Sequence, residues 1–163
     1  MAPSLQVKMT RVHEGERIGR NGKLRIGCSA VIFDQSGEKI LLTKRSDNGQ
    51  WCLPGGVMEP GESISETCIR EVLEETGLEV EVLRIIGVYS NRDLLVEYPD
   101  GNKFQIVVVS FEVEAKGGEL RLSNETTDYG YFSWQEIQNM DLLGHHKDRI
   151  ADALSGRVDP YIQ

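Results

Sequence analysis

The stretch from Gly56 to Leu78, GVMEPGESISETCIREVLEETGL, decides how this chain is to be read. Ser63-Ile64-Ser65-Glu66 is a capping box: the serine oxygen takes the glutamate N–H and the carboxylate takes the serine N–H. A helix therefore begins at Ser63. Gly77 closes it, as the residue that enters the left-handed region without a Cβ penalty. On a helical wheel Glu71, Glu74 and Glu75 fall within an arc of about 100°. Cys68, Ile69, Val72 and Leu73 share a different arc that is able to face a sheet. Acids this close repel one another, and helix propensity gives no reason for them. Hard divalent cations relieve the repulsion, since Mg²⁺, with Mn²⁺ as a substitute, prefers carboxylate oxygen. From Glu59 to Glu79 seven acids stand against one base, Arg70, so much of the chain's net charge of -8 is local to this segment.

Outward from that helix the pattern is one of strands. Arg25 to Phe33, Ile40 to Arg45, Val80 to Ser90, Phe104 to Val113 and Tyr129 to Trp134 carry β-branched or alternating sequence. Turns are expected at Asp34 to Gly37, Tyr98 to Asn102 and Lys116 to Gly118, and Pro54-Gly55-Gly56 should break any regular element. Ile106 to Val109 is apolar at consecutive positions, as in a strand covered on both faces. A second helix is expected over His145 to Leu154. The order strands, helix, strands, helix defines an α/β sandwich with a mixed sheet between helices. We read residues 23–155 as one domain, 1–22 as an N-terminal arm with a weak apolar set at Leu5, Val7 and Met9, and 156–163 as a tail.

Composition narrows the function. The 163 residues are 39% hydrophobic and 27% charged, which suits an ordinary globular domain. An acidic chain is a poor nucleic-acid or anionic-membrane surface, because both need clustered Lys and Arg. No apolar run reaches bilayer length, and Met1 to Gly19 mixes charges where a secretion signal would be apolar. Cys28, Cys52 and Cys68 form no CxxC pair and read as buried free thiols. A cytoplasmic chain is expected. The oligomeric state stays open, a homodimer included.

The quoted stretch also resembles the Nudix box, G-x5-E-x7-R-E-U-x-E-E-x-G-U with U aliphatic, at all nine defined positions over 23 residues. Trp51-Cys52-Leu53-Pro54-Gly55 looks like the lead-in common in that family. The resemblance implies a Nudix-type α-β-α sandwich whose loop-helix-loop binds Mg²⁺ and the diphosphate of a nucleoside diphosphate linked to another moiety. It implies metal ligation by Glu71, Glu74 and Glu75, with the Gly55 carbonyl as a further ligand. Arg70 would hold a glutamate, Glu62 would support the helix acids from the loop, Gly56 would admit a close approach, and Gly77 would serve the helix end. A later acid often completes the family's site. Glu125 is the first candidate here, with Glu119 and Asp128 competing, in a segment where Tyr131 stands for the usual Trp. Glu75, Glu74 and Glu125 remain open as the proton acceptor.

Other residues carry weaker signals. Lys44 and Arg45 end a strand before the box and are candidates for contact with phosphate or base. Trp51, Tyr89, Tyr98 and Phe104 are candidates for a stacking wall. His145-His146 and His13 read as solvated or capping histidines. The expected substrate is a nucleoside diphosphate joined to a sugar-like group, ADP-ribose first. A nucleoside triphosphate, and a catalytically idle nucleotide-sensing domain, are the alternatives. RNA 5′ ends are opposed by the charge, and the isomerase branch's cysteine motif is not found.

Overall fold

The computed structural model describes residues 10–163. Its elements are β1 (Arg11–Glu14), a 3₁₀ turn (Ile18–Asn21), β2 (Lys23–Ile32), β3 (Lys39–Arg45), β4 (Trp51–Cys52), β5 (Gly55–Val57), α1 (Ile64–Thr76), β6 (Leu78–Tyr89), β7 (Leu94–Glu97), β8 (Lys103–Gly118), β9 (Thr126–Ser133), α2 (Trp134–Gln138), α3 (His146–Leu154) and β10 (Tyr161–Ile162). The long β8 is the spine. It runs parallel to β2, from Lys23 opposite Phe104 to Ile32 opposite Val113, and antiparallel to β6 and β7 along its other edge. β5 extends the sheet beyond β2, β1 extends it beyond β7, and β10 lies parallel on β6. A second sheet has the order β4-β3-β9.

Alternation along β2 divides the core in two. Cys28, Ala30 and Ile32 pack with Leu41, Phe111 and Val113 under Cys68 and Val72 of α1. Val31 turns the other way and packs with Ile40, Leu42 and Ile86 under Ile137 of α2 and Ile150 and Ala153 of α3. The sheets are thus covered on both sides, and the fold is the expected α-β-α sandwich with a mixed sheet.

The structure departs from the sequence reading at identifiable places. Gly55–Val57 is a strand, not a break, because Gly55 lets β5 lie against β2 where a Cβ would overlap the Cys28 carbonyl oxygen. β8 runs on through Gly118 where the sequence suggests a turn. Trp134 begins α2, capped by a second capping box at Ser133 and Glu136. On α1, Ile69 and Leu73 are 39% and 40% exposed, while Thr67 and Thr76 are buried instead. Thr76 satisfies its hydroxyl on the Val72 carbonyl at 2.6 Å, and the Thr67 hydroxyl is shared between Glu62 at 2.8 Å and the Ser63 carbonyl at 3.1 Å. Arg11–Glu14 and Tyr161–Ile162, outside the domain bounds read from sequence, are strands of the main sheet. Leu5, Val7 and Met9 lie outside the described residues. Among those described, no helix is long and apolar enough to cross a membrane. All three cysteines are free and buried.

Candidate active site

α1 is built as the capping box and Gly77 require. The Ser63 side chain accepts from Glu66 N–H, Glu66 accepts from Ser63 N–H, and Gly77 has φ 78°. Its buried face fixes the rotation of the helix, so the acid face is directed at the loop between β5 and α1. There Arg70 is the hub. Its Nε and Nη2 grip both oxygens of Glu62, and Nη2 also donates to the Val57 carbonyl at 3.2 Å. Nη1 donates to Glu71 at 2.9 Å and to Glu74 at 3.3 Å. A guanidinium fork suits this arrangement, since a lysine has no second planar donor pair. Glu62 accepts further from Glu59 N–H at 3.0 Å and the Thr67 hydroxyl at 2.8 Å, and these bonds with Arg70 hold its pKa down at about 2. The loop is thereby tied to the helix.

The three box acids differ in environment. The Glu74 side chain is 60% exposed and that of Glu71 15%. The Glu71 carboxylate lies against Gly56, where an added Cβ would overlap it. Burial raises the Glu71 pKa, against the pull of Arg70. Glu75 accepts the Gly55 N–H at 3.2 Å. Burial pushes its pKa up to about 8, with Glu71 and Glu125 adding to the rise and Gly55 and Arg45 opposing it. The cause is a carboxyl taken out of water beside two other carboxyls.

All three acids line one cleft of about 700 Å³, together with Gly55, Gly56, Arg70 and Glu125. The turn holding Glu125 is tied to β3 by a bond from Ser46 N–H to the Glu125 carbonyl at 2.9 Å. The two competitors, Glu119 and Asp128, do not line the cleft. Arg45 does, in a bidentate pair with Asp47 at 2.8 Å for each bond, and Thr10 donates to Asp47 at 2.7 Å. Neither Asp47 nor Thr10 carries a signal in the sequence.

Three candidates fall elsewhere, Lys44 because β3 alternates. Lys44 points to the opposite face from Arg45 and lies over Trp51 at 5.8 Å, and Trp51 packs edge-on to Phe132 at 5.0 Å in the α3-side core. Tyr89 is buried and donates to Asp152 at 2.7 Å, apart from the acid cleft. Tyr98 does line the cleft and meets Phe104 edge-on at 5.7 Å. His146 is half-buried and not freely solvated, and its Nδ1 accepts the Leu53 N–H at 3.0 Å.

The donor set fits a hard cation. It is oxygen-only and crowded with carboxylates, and the burial of Glu71 and Glu75 leaves their repulsion unrelieved by Arg70 and Arg45 alone. Among the described residues no three acids, histidines or cysteines already stand at ligand spacing, so side chains must turn to close around an ion.

Comparison with known proteins agrees with the geometry. The NUDIX domain family model matches residues 23–154. A MutT-like protein of Streptomyces ambofaciens is 34% identical over 138 residues, covering 85% of this chain and 81% of that one. An ADP-ribose pyrophosphatase of Methanocaldococcus jannaschii is 35% identical over 127 residues, 74% of this chain and 70% of its own. The crystal structure of a MutT protein from Methanosarcina mazei Go1 superposes with a TM-score of 0.66 at 29% identity, covering 83% of this chain and 98% of that one. The chain belongs to the NUDIX family and is a hydrolase acting on phosphoanhydride bonds.

Proposed function

We propose that this hydrolase cuts, with Mg²⁺ or Mn²⁺, the pyrophosphate bond of a nucleoside diphosphate joined to a sugar-like group, with ADP-ribose as the reference compound. The observation that carries this reading is the meeting of Glu71, Glu74, Glu75 and Glu125 in one cleft beside Gly55 and Gly56. Glu71, Glu74, Glu75 and Glu125 would hold the cation together with the Gly55 carbonyl. When bound, the ion supplies charge neutralisation of the diphosphate and lowers the pKa of adjacent water.

The chain's own residues do the rest. Arg70 fixes the direction of Glu71 and leaves the carboxylate's second oxygen outside that bond. The Gly55 N–H holds one oxygen of Glu75. Proton acceptance from the attacking water lies with Glu75, Glu74 or Glu125. Glu125 is favoured for mobility, since its carboxylate makes no hydrogen bond or ion pair among the described residues. Arg45 lines the same cleft and presents a cation to phosphate.

The test is product analysis. Cleavage of a nucleotide sugar gives nucleoside monophosphate and sugar phosphate, whereas cleavage of a triphosphate gives nucleoside monophosphate and pyrophosphate. A kcat/KM for any triphosphate above that for every nucleotide sugar replaces this reading with the MutT-like one. That alternative is supported by the resemblance to MutT-like proteins. No turnover of either class would favour an idle sensing domain, which the full set of box acids opposes.

A further inference from the structure

Beyond Glu75 and Gly56 the acid cleft continues into a narrower cavity of about 170 Å³ between the main sheet and the start of α3. Its walls are mainly apolar, from Val12, Leu53, Val96, Ile106, Val108 and Leu143, with Thr10, Arg45 and Glu75 where it meets the acid cleft. An apolar cavity of about 150 Å³ holds a benzene ring. This one admits a single flat ring system and no whole nucleoside.

Two polar groups from α3 stand in it, His146 and Arg149. The Leu53 N–H donates to His146 Nδ1, so the neutral ring carries its proton on Nε2 and has only a donor left to offer. Burial, reinforced by Arg149 and Arg45, keeps that ring neutral. Arg149 separates the cavity from a neighbouring hollow and lies 5.6 Å from the Tyr89 ring. Its Nε is sealed from solvent with no hydrogen-bond partner. Among the described residues its Nη1 and Nη2 make no hydrogen bond or ion pair either, and on this half-buried side chain they are the donors left to a ligand acceptor. Packing alone would be served by a leucine or methionine on this stripe.

We propose that this cavity takes the base of the substrate, and that Arg149 with His146 selects an oxo-base over adenine. Of the α3 side chains in the cavity, His146 and Arg149 offer donors only. Guanine presents N7 and O6 as paired acceptors matched to an arginine fork, and uracil presents two carbonyls. Adenine places its N6 amino group beside N7, donor against donor, and loses one bond. The inference rests on the nucleotide reading above and makes ADP-ribose the comparison compound instead of the preferred one.

The test is equilibrium binding of GMP, UMP and AMP by calorimetry to the full chain, beside kcat/KM for guanosine, uridine and adenosine diphosphate sugars. GMP or UMP should bind more tightly than AMP, and the better of the two identifies the base. Arg149→Met should weaken that ligand about 10- to 100-fold and leave AMP within about threefold. Arg149→Lys keeps the charge without the fork and should lose most of the same preference, which covers the case of a poorly folding methionine variant. AMP equal to or tighter than both oxo-bases, or an equal loss on all three ligands, overturns the proposal. Base preference in binding without turnover of any sugar leaves this proposal standing and removes the proposed activity instead.

Discussion

The backbone of Gly56 runs so close to Glu71 that one added carbon would overlap the carboxylate. Gly56 has no positive φ, so its role is space and not conformation. Five residues on, Gly61 is the reverse case, with φ 96° and open space around its α-carbon. The two glycines therefore separate the carboxylate's position from the shape of the loop. Gly56→Ala should lower kcat/KM about 10²-fold by displacing Glu71, whereas Gly61→Ala should cost about 1 kcal/mol of stability and keep turnover. Denaturation and kinetics on both variants check this. An active Gly56→Ala beside an inactive Gly61→Ala would mean that the loop, not Glu71, controls the rate.

A second prediction concerns Glu75 and Glu66, two glutamates on one helix with opposite environments. Capping bonds to Ser63 hold the Glu66 pKa down, whereas burial pushes Glu75 up to about 8. For Glu75 the folded value lies above the unfolded one, so ionisation opposes folding increasingly from about pH 4.5 and fully above pH 8. Glu75→Gln should thus raise the metal-free melting temperature at pH 8, by about 2–4 °C for each kcal/mol relieved. Its turnover should fall about 10²–10⁴-fold. Glu66→Gln keeps a capping acceptor and should change neither by much. Equal kinetic losses at both positions would place the site elsewhere.

Metal dependence follows from the same crowding. Protein treated with chelator should be inactive, and Mg²⁺ or Mn²⁺ should restore it. The cation should also raise the melting temperature, because it binds only the folded cluster. That thermal gain should shrink in Glu71→Gln, where one oxygen donor in the cleft loses its charge. Full turnover after exhaustive metal removal would rule out a cation as part of the hydrolytic machinery.

How far the sequence is legible depends on what kind of contact decides each element. α1 can be read to the residue because its caps are local, Ser63 with Glu66 at one end and Gly77 at the other. Glu71, Glu74 and Glu75 follow from its period, and Glu125 joins them in the cleft. β1 and β10 are four residues or fewer, and their signal is the partner strand, which lies far away in sequence. The burial of Thr67 and Thr76 in place of Ile69 and Leu73 depends on the side to which the loop rotates the helix. Arg149 is visible in principle: with His146, Ile150 and Ala153 it shares one face of α3 at steps of three and four. An arginine on an otherwise buried stripe is the signal, and the adjacent histidine pair, itself ordinary in sequence, masks it.

The last prediction is acid sensitivity at the other wall of the cleft. Asp47 takes two bonds from Arg45 and one from Thr10, and its pKa drops to about 2 despite partial burial. Its folded value lies below the unfolded 3.8, so the stabilisation is complete above about pH 4 and is lost as pH falls toward 2. With 22% of the side chain exposed, solvent screening limits the contribution to about 1–2 kcal/mol. Asp47→Asn should therefore be less stable than the parent at pH 7 by about that amount, with the gap closing between pH 4 and pH 2. The variant also frees the Arg45 guanidinium inside the cleft, so KM for a phosphorylated substrate should fall or hold while stability drops. Urea denaturation of both proteins across that pH range is the measurement. A gap that stays constant down to pH 2 would mean that the loss comes from packing around Arg45, and not from the charge on Asp47.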